Sequence, residues 1–429
     1  MICIDRSFKD GLDHAQYLDS KDPLAAFRKR FYVREDTVYL CGNSLGLASK
    51  DAENSLFNVL DEWKYEGVQL WSQNNNKFLK YSAHLAKLMA PLVGADAKEI
   101  ALSGSTTVSI HQCISTFYKP TEDRYKILVD DVNFSSDRYA VDSQVRLKGY
   151  DPAEAVKVVK CRGRFMSEDD IISAMTPEVA LVLLPAVYYR SAQILDVKRV
   201  TDAAKSRGIF IGWDLCHAAG VIDFDLRYLD VDFAVWCTYK YLNGGPGAPS
   251  ALYINKKHFH LTPGMCGWFG NRVETQFKLN QEFDHKKDAN GWQIGTPHLL
   301  SMGPLEGSLK MFLEAGMTNV RLKSLKITAY LMYLSDLRLS YYGFDIGNPK
   351  EDDRRGGHVC LRHHEAYRIS IALKNMGVVQ DFRPPNVIRM TPVALYTSYE
   401  EVYRVVEMIL LIVKNETYKS ISTRRSVVV

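Results

Sequence analysis

Asp214 closes the apolar run Ile209-Phe210-Ile211-Gly212-Trp213, and His217 follows three residues later. Lys240 stands just past a second run, Phe233-Ala234-Val235-Trp236-Cys237, where the chain enters the loop Tyr241-Leu-Asn-Gly-Gly-Pro-Gly247. An acid and a lysine at the ends of two buried strands suit pyridoxal 5'-phosphate (PLP). That cofactor needs a carboxylate against its pyridine nitrogen and an amine to hold its aldehyde as a Schiff base. Each residue also has a plainer use. Asp214 could cap a helix after a strand, His217 could be a satisfied buried histidine, and Lys240 could snorkel from a strand end. A metal pair built on Asp214 and His217 lacks a third ligand at metal-like spacing, so no metal is expected. Taken together, the three residues favour the cofactor. Lys240 is then expected in a partly desolvated place beside cationic groups, which would keep its amine neutral.

Two further stretches could complete such a site. Ser103-Gly104-Ser105-Thr106-Thr107 follows the short run Ile100-Ala101-Leu102 and opens a helix over Val108–Phe117. Free N–H groups and hydroxyls there suit a phosphate monoester, although an ordinary capping run reads equally well. Phe134-Ser-Ser-Asp137, after another strand end, could supply an aromatic plate with an acid beside it.

The elements that must position these residues read as alternating strands and helices. Strands are expected at Lys126–Val129, Val156–Val159, Val179–Leu184, Ile209–Trp213, Phe233–Cys237 and Ala251–Ile254, with helices at 169–175 and 197–206. That pattern predicts an α/β fold with a mostly parallel sheet, whose strand carboxyl ends form the binding edge. Residues 1–50 read as an N-terminal arm and 51–303 as a large domain. Residues 304–429 read as a linking helix (about 304–339) followed by a small α+β domain. Helical periodicity covers 52–66 and 76–93, separated by a loop with Trp71 and Gln73-Asn-Asn-Asn76. Residues 262–298 read as a long functional loop, and the tail from Lys414 as frayed.

Composition narrows the class. A formal charge of +4, from 54 basic and 50 acidic residues, is too mild to argue for nucleic acid or a membrane surface. The start, MICIDRSFKDGLDH, carries charges where a signal peptide needs an apolar segment. Eight cysteines are scattered without a CxxC pair, which suits a reduced cytoplasmic protein.

Several motifs in order resemble kynureninase, a PLP-dependent enzyme of fold type I. They are Tyr39-Leu-Cys-Gly-Asn-Ser-Leu-Gly46, Phe134-Ser-Ser-Asp137, Asp214-Leu-Cys-His217-Ala-Ala, Trp236-Cys-Thr-Tyr-Lys240-Tyr-Leu-Asn-Gly-Gly-Pro-Gly, Gly267-Trp-Phe-Gly270, and Ile388-Arg389 with Leu395-Tyr-Thr-Ser-Tyr399. The resemblance runs from about residue 37 to 412. It implies Lys240 as Schiff-base lysine and proton carrier, Asp214 against the pyridine nitrogen, and His217 and Asp137 beside the ring with Phe134 stacked on it. It implies Thr106, Thr107 and Tyr239 on the phosphate, with Tyr239 also relaying a proton. Trp268 and Thr296 resemble phosphate contacts that members take from a partner subunit, which implies a homodimer. Arg389 would clamp the substrate carboxylate bidentately, and Trp71 would line an aromatic pocket.

The implied reaction is hydrolysis of L-kynurenine, with 3-hydroxy-L-kynurenine as a further substrate, to anthranilate (or 3-hydroxyanthranilate) and L-alanine in tryptophan catabolism. Gly295-Thr296 resembles the pair of bacterial, kynurenine-preferring members. Pro185 departs from the family, falling where a Ser or Thr is usual, and Asn271 stands where some members have His. Two rivals remain. Arg355-Gly-Gly-His-Val-Cys360 resembles the active-site stretch of one cysteine desulfurase group, which needs an accessible thiolate at Cys360. A catalytically silent binding protein on the same fold is the other.

Overall fold

Short β-branched runs build a seven-stranded sheet in the computed structural model of the protein, which describes residues 6–424. The strands, in chain order after β1 (Val38–Tyr39), are β2 (Ile100–Leu102), β3 (Lys126–Asp130), β4 (Val156–Val159), β5 (Val179–Pro185), β6 (Phe210–Asp214), β7 (Phe233–Cys237) and β8 (Ser250–Ile254). Their spatial order is β2-β8-β7-β6-β5-β3-β4. Strands β4, β3, β5, β6 and β7 run parallel, while β8 is antiparallel to both β7 and β2. Alternate side chains feed two cores. Val182, Leu184, Ile211 and Trp213 join one cluster, and Leu181, Leu183, Phe233 and Val235 join the other. Helices Thr106–Phe117 and Ser135–Leu147 cover the second face. Both faces are therefore buried, which is why these strands read as continuous apolar runs.

A second, antiparallel sheet is built from β9 (Asp345–Ile346), β10 (Val359–Arg362), β12 (Asp381–Arg383) and β13 (Val387–Met390), in the order β12-β13-β10-β9. The two-residue β11 (Val378–Val379) instead pairs in parallel with β1, Val38 opposite Val378. Helices Ala366–Asn375 and Tyr399–Lys414 and the first helix, Leu12–Ser20, pack around a separate core that contains Ala15, Leu18, Ile369 and Val406.

Three sequence expectations change. The helical stretch at 304–339 is two helices, Leu299–Ala315 and Met317–Leu339, broken at Gly316, whose φ of 74° a chain with a side chain rarely adopts. The helix placed at 76–93 begins only at Tyr81, because Asn74, Asn75 and Asn76 all take positive φ (50°, 57° and 58°). The tail is tied down rather than frayed as far as it is described: a 3-10 turn at Thr417–Ser420 is held by Arg368, whose guanidinium donates to the carbonyls of Tyr418 (3.0 Å), Lys419 and Ile421 (2.9 Å). Cys3, the first five residues of the N-terminal stretch, and 425–429 of the tail lie outside the described residues.

Candidate active site

The strand order reverses between β3 and β5, and the loops leaving β3, β5, β6 and β7 converge there. Such a switch point at strand carboxyl ends is where open α/β sheets bind ligands. The loops enclose about 510 Å³ of empty space, part of it open to solvent, lined by Thr106, Thr107, Asn133, Phe134, Ser136, Asp137, Pro185, Val187, Tyr189, Asp214, Cys216, His217, Tyr239 and Lys240. Eight sequence-predicted residues thus meet in one cavity.

Local structure explains each placement. Asp214 ends β6 with one oxygen accepting the Cys216 N–H at 2.7 Å, so it makes the turn expected of a capping Asp while its carboxylate stays in the cavity wall. Pro185 ends β5 directly opposite Asp214. Ser105 caps the helix Thr106–Phe117 by accepting from the Val108 N–H. The N–H groups of Thr106 and Thr107 in that first turn have no helical acceptor, and Thr107 Oγ1 lies 2.7 Å from Ser136 Oγ. Asn133 donates to Asp137 at 2.9 Å, orienting that carboxyl at the start of the next helix. Lys240 Nζ lies 3.1 Å from His217 Nε2.

Burial dominates the electrostatics. Asp137 is only 5% exposed, and burial, with Asp214 as its next neighbour, raises its carboxyl well above the usual range. Burial, with Lys240 and Arg389 facing it, holds the His217 imidazole well below its usual range and keeps it neutral. Burial pushes the Tyr239 hydroxyl up to about 12. Lys240 departs from expectation. Burial alone would lower its amine, but Cys237, Cys216, Asp214 and Tyr239 outweigh it and hold the ammonium above the ordinary lysine range. Its neighbours are potential anions and a neutral imidazole, not cations.

These residues fit PLP on their own chemistry. Two buried carboxyls, Asp137 and Asp214, face each other and call for a cation such as a pyridinium N–H. His217 Nδ1 is buried without a hydrogen-bond partner. A helix start with two threonine hydroxyls suits a phosphate, and the half-exposed ring of Phe134, edge-on to Tyr189 with centroids 5.7 Å apart, offers an aromatic face.

The remaining predicted residues lie elsewhere in the single chain. Trp268 is 43% exposed and donates its indole N–H to the Gln276 carbonyl at 2.8 Å. Gly295 and Thr296 are exposed, and Trp71 is half-buried against the large core. Arg389 on β13 is buried behind Tyr189, donating from Nη1 to the Tyr189 carbonyl at 3.0 Å and from Nη2 to Ser44 Oγ at 3.2 Å. Its bidentate partner is Asp381, which the sequence reading did not single out. Asn133, Ser136, Tyr189 and Cys216 were also not anticipated in cofactor or substrate roles. The hairpin around Pro384-Pro385 places Asp381 opposite Arg389 in register, and that signal could have found it.

Cys360 does not meet the needs of the desulfurase alternative. It is fully buried on β10 opposite Arg389, and burial pushes its thiol up to about 12, so it offers no accessible thiolate.

Solved structures share the fold. A cysteine desulfurase from Thermococcus onnurineus NA1 superposes with a TM-score of 0.75 at 16% identity, over 91% of this chain and 98% of that one. A C-DES mutant with glycine covalently linked to its PLP cofactor gives 0.76 at 14% identity, over 89% of this chain and 98% of that one. The architecture is that of fold-type-I PLP enzymes. Residues 320–409 match the model of the kynureninase C-terminal domain. Kynureninase of Geobacillus thermodenitrificans is 51% identical over 97% of this chain and 98% of its own length. Kynureninase of Shouchella clausii is 48% identical over all of both chains. With about half of its residues shared along nearly its entire length, and with a lysine, two acids and a histidine gathered at the strand ends, the chain belongs to the kynureninase family.

Proposed function

We propose that the protein is a PLP-dependent hydrolase that cleaves the Cβ–Cγ bond of L-kynurenine, consuming one water and releasing anthranilate and L-alanine, in tryptophan catabolism. 3-Hydroxy-L-kynurenine would be a slower substrate. The observation that carries this reading is the buried Lys240 amine beside His217, in a cavity walled by Asp214 and Asp137, in a chain of this family.

Bound there, PLP would act as an electron sink for the carbanion chemistry at substrate Cα and Cβ. Lys240 would hold its aldehyde carbon, and the amine freed by substrate would carry the Cα proton. Asp214, oriented by the Cys216 N–H, would face the ring nitrogen, with Asp137, oriented by Asn133, beside it. Thr106 and Thr107 would take the phosphate at the helix start, and Phe134 would lie on the ring. Tyr239 keeps its proton at neutral pH and so can give it to a reacting atom. Asp381 fixes the Arg389 guanidinium by two bonds. A substrate carboxylate would therefore meet the outer N–H groups that now reach Tyr189 and Ser44, rather than a free bidentate fork.

Exposure of Trp268, Gly295 and Thr296, outside the cavity of their own chain, supports a homodimer in which they complete the partner's site, where Trp71 would border the substrate ring. The proposed division is an arm (1–50), a PLP-binding domain (51–303) and a C-terminal part (304–429); Leu305, Phe312 and Val320 still pack in the large domain's cluster, and membership changes between Val320 and Ile327 along one helix. Seven unpaired cysteines among the described residues support a reducing, cytoplasmic setting, and no described helix is long and apolar enough to cross a membrane.

Anthranilate release from kynurenine, measured beside 3-hydroxyanthranilate release from the hydroxylated compound, tests the reading. Kynurenine is expected to have the larger kcat/KM, because Thr296 has no amide to bond a 3-hydroxyl. No turnover of either substrate would overturn the activity, and a preference for the hydroxylated one would overturn the specificity.

A further inference from the structure

The floor of the cavity contains a pair of thiols that the proposed reaction does not use. Asp214 on β6 lies opposite Val235 on β7, and the Leu215 N–H donates to the Val235 carbonyl at 2.8 Å, so the parallel ladder continues past the strand end. Cys237 is the last residue of β7, and Cys216 sits beside it in the turn that follows β6. The Cys237 N–H donates to Cys216 Sγ at 3.3 Å, and the two thiols hydrogen-bond one another.

We propose that Cys216 and Cys237 form an oxidation site, a dithiol that a small peroxide closes to a disulfide across the ends of β6 and β7. Cys216 lines the cavity, so a molecule the size of hydrogen peroxide reaches the pair from the substrate side. Burial works against ionisation of Cys237. The hydrogen bond from Cys216 and the Lys240 ammonium outweigh it, holding the Cys237 thiol below the ordinary cysteine range. The hydrogen bond to Cys237 and burial hold the Cys216 thiol well above that range. Cys216 stands in the cavity wall and Cys237 behind it, so Cys216 is the sulfur that meets the peroxide and Cys237 the resolving thiol.

Cys216 Sγ, the sulfur in the cavity wall, passes its proton to the Cys237 thiolate beside it, attacks one peroxide oxygen and breaks the O–O bond, giving a sulfenic acid and a hydroxide that takes up the proton Cys237 first released. Cys237 sulfur then attacks the sulfenic sulfur, the S–S bond forms, and the hydroxyl leaves as water with the Cys237 proton. Two electrons leave the sulfurs and reduce peroxide to two waters. The bond would tether the residue before His217 to the strand that leads into Lys240, altering the distance between the groups that meet at 3.1 Å.

The test treats the purified protein with hydrogen peroxide, blocks free thiols, digests without reductant and looks for a peptide pair joining Cys216 to Cys237. A loss of about 2 Da from the intact mass accompanies it and is reversed by dithiothreitol. Cys237→Ala should abolish the joined pair and let Cys216 proceed to sulfinic acid. Wild-type protein in which Cys216 reaches sulfinic acid unjoined overturns the proposal. So does protein in which exposed Cys266 oxidises while Cys216 and Cys237 stay reduced. Masses are read without turnover, so the outcome is independent of the proposed reaction.

Discussion

Gly46→Ala is a single methyl that should reach the reacting lysine from outside the cavity. The Gly46 N–H donates to the Tyr239 carbonyl at 2.8 Å, which seats the Gly42–Gly46 turn of the arm against the lysine loop. A Cβ at Gly46 would lie 2.5 Å from the Lys240 carbonyl oxygen and 2.8 Å from Asn243 Cα, and would overlap Asn243 Oδ1. Ordinary contact begins near 3.4 Å, so the Lys240 backbone must retreat by roughly 0.9 Å. The lysine loop has little room to yield, because Asn243 and Gly244 are buried and Gly244 itself meets the Thr238 carbonyl and Leu305. Overpacking of this kind costs about 1–3 kcal/mol. Moving a reacting group by about 1 Å costs on the order of 100-fold in rate. Steady-state anthranilate release should show kcat/KM falling by about that factor, with a lowered urea midpoint. Gly163→Ala, whose Cβ would meet nothing nearer than 3.9 Å, should change neither. A Gly46→Ala enzyme with wild-type kcat/KM and midpoint would refute the claim that this turn fixes Lys240.

Glu306 offers a pH test. It accepts from Tyr81 OH at 2.9 Å and Lys310 Nζ at 2.7 Å, with Lys77 Nζ at 3.0 Å and His84 Nε2 at 3.2 Å. Burial opposes its charge, but contacts from His84, Lys310, Lys77 and Tyr81 prevail and hold the carboxyl far below its ordinary value. Its folded pKa is depressed, so its contribution is complete above the unfolded value of about 4.3 and is lost as pH falls below it. Glu306→Gln should therefore lose on the order of 2 kcal/mol at pH 7 and much less near pH 3. An equal loss at both pH values in urea titrations would contradict the assignment. Cys360→Ser should retain kynurenine turnover, and the wild-type protein should release no sulfide from cysteine. Sulfide release that disappears in Cys360→Ser would restore the desulfurase reading.

The strand ends were the legible part of the site. Asp214 and Lys240 could be read because apolar runs of strand length stop beside them, and a two-sided buried sheet leaves few other places for such runs. Asp137 was visible only as part of a short motif, since its helix, Ser135–Leu147, is strongly polar on its outer face. Tyr189 left no signature. It enters the cavity because its carbonyl is held by Arg389 and by His358 Nε2 at 3.1 Å, both more than 160 residues away, and no local pattern encodes that. The single long helix was misread because its apolar spacing continues across Gly316, whose left-handed backbone alone separates the two helices. Residues Trp268, Gly295 and Thr296 were named by resemblance only. Physical reading of one chain cannot reach them, because their own chain gives them no partner in the cavity.

The parallel pairing of β1 with β11 joins positions 38 and 378, so 340 residues separate two segments that touch. During translation, the strand just before the turn that seats the lysine loop leaves the ribosome early but finds its β11 partner only when about seven-eighths of the polypeptide has emerged. Closing so wide a loop comes late and slowly. The central sheet can therefore assemble well before its reactive amine is set in place, and a nascent chain stalled short of Val378 should be folded in its middle yet chemically idle.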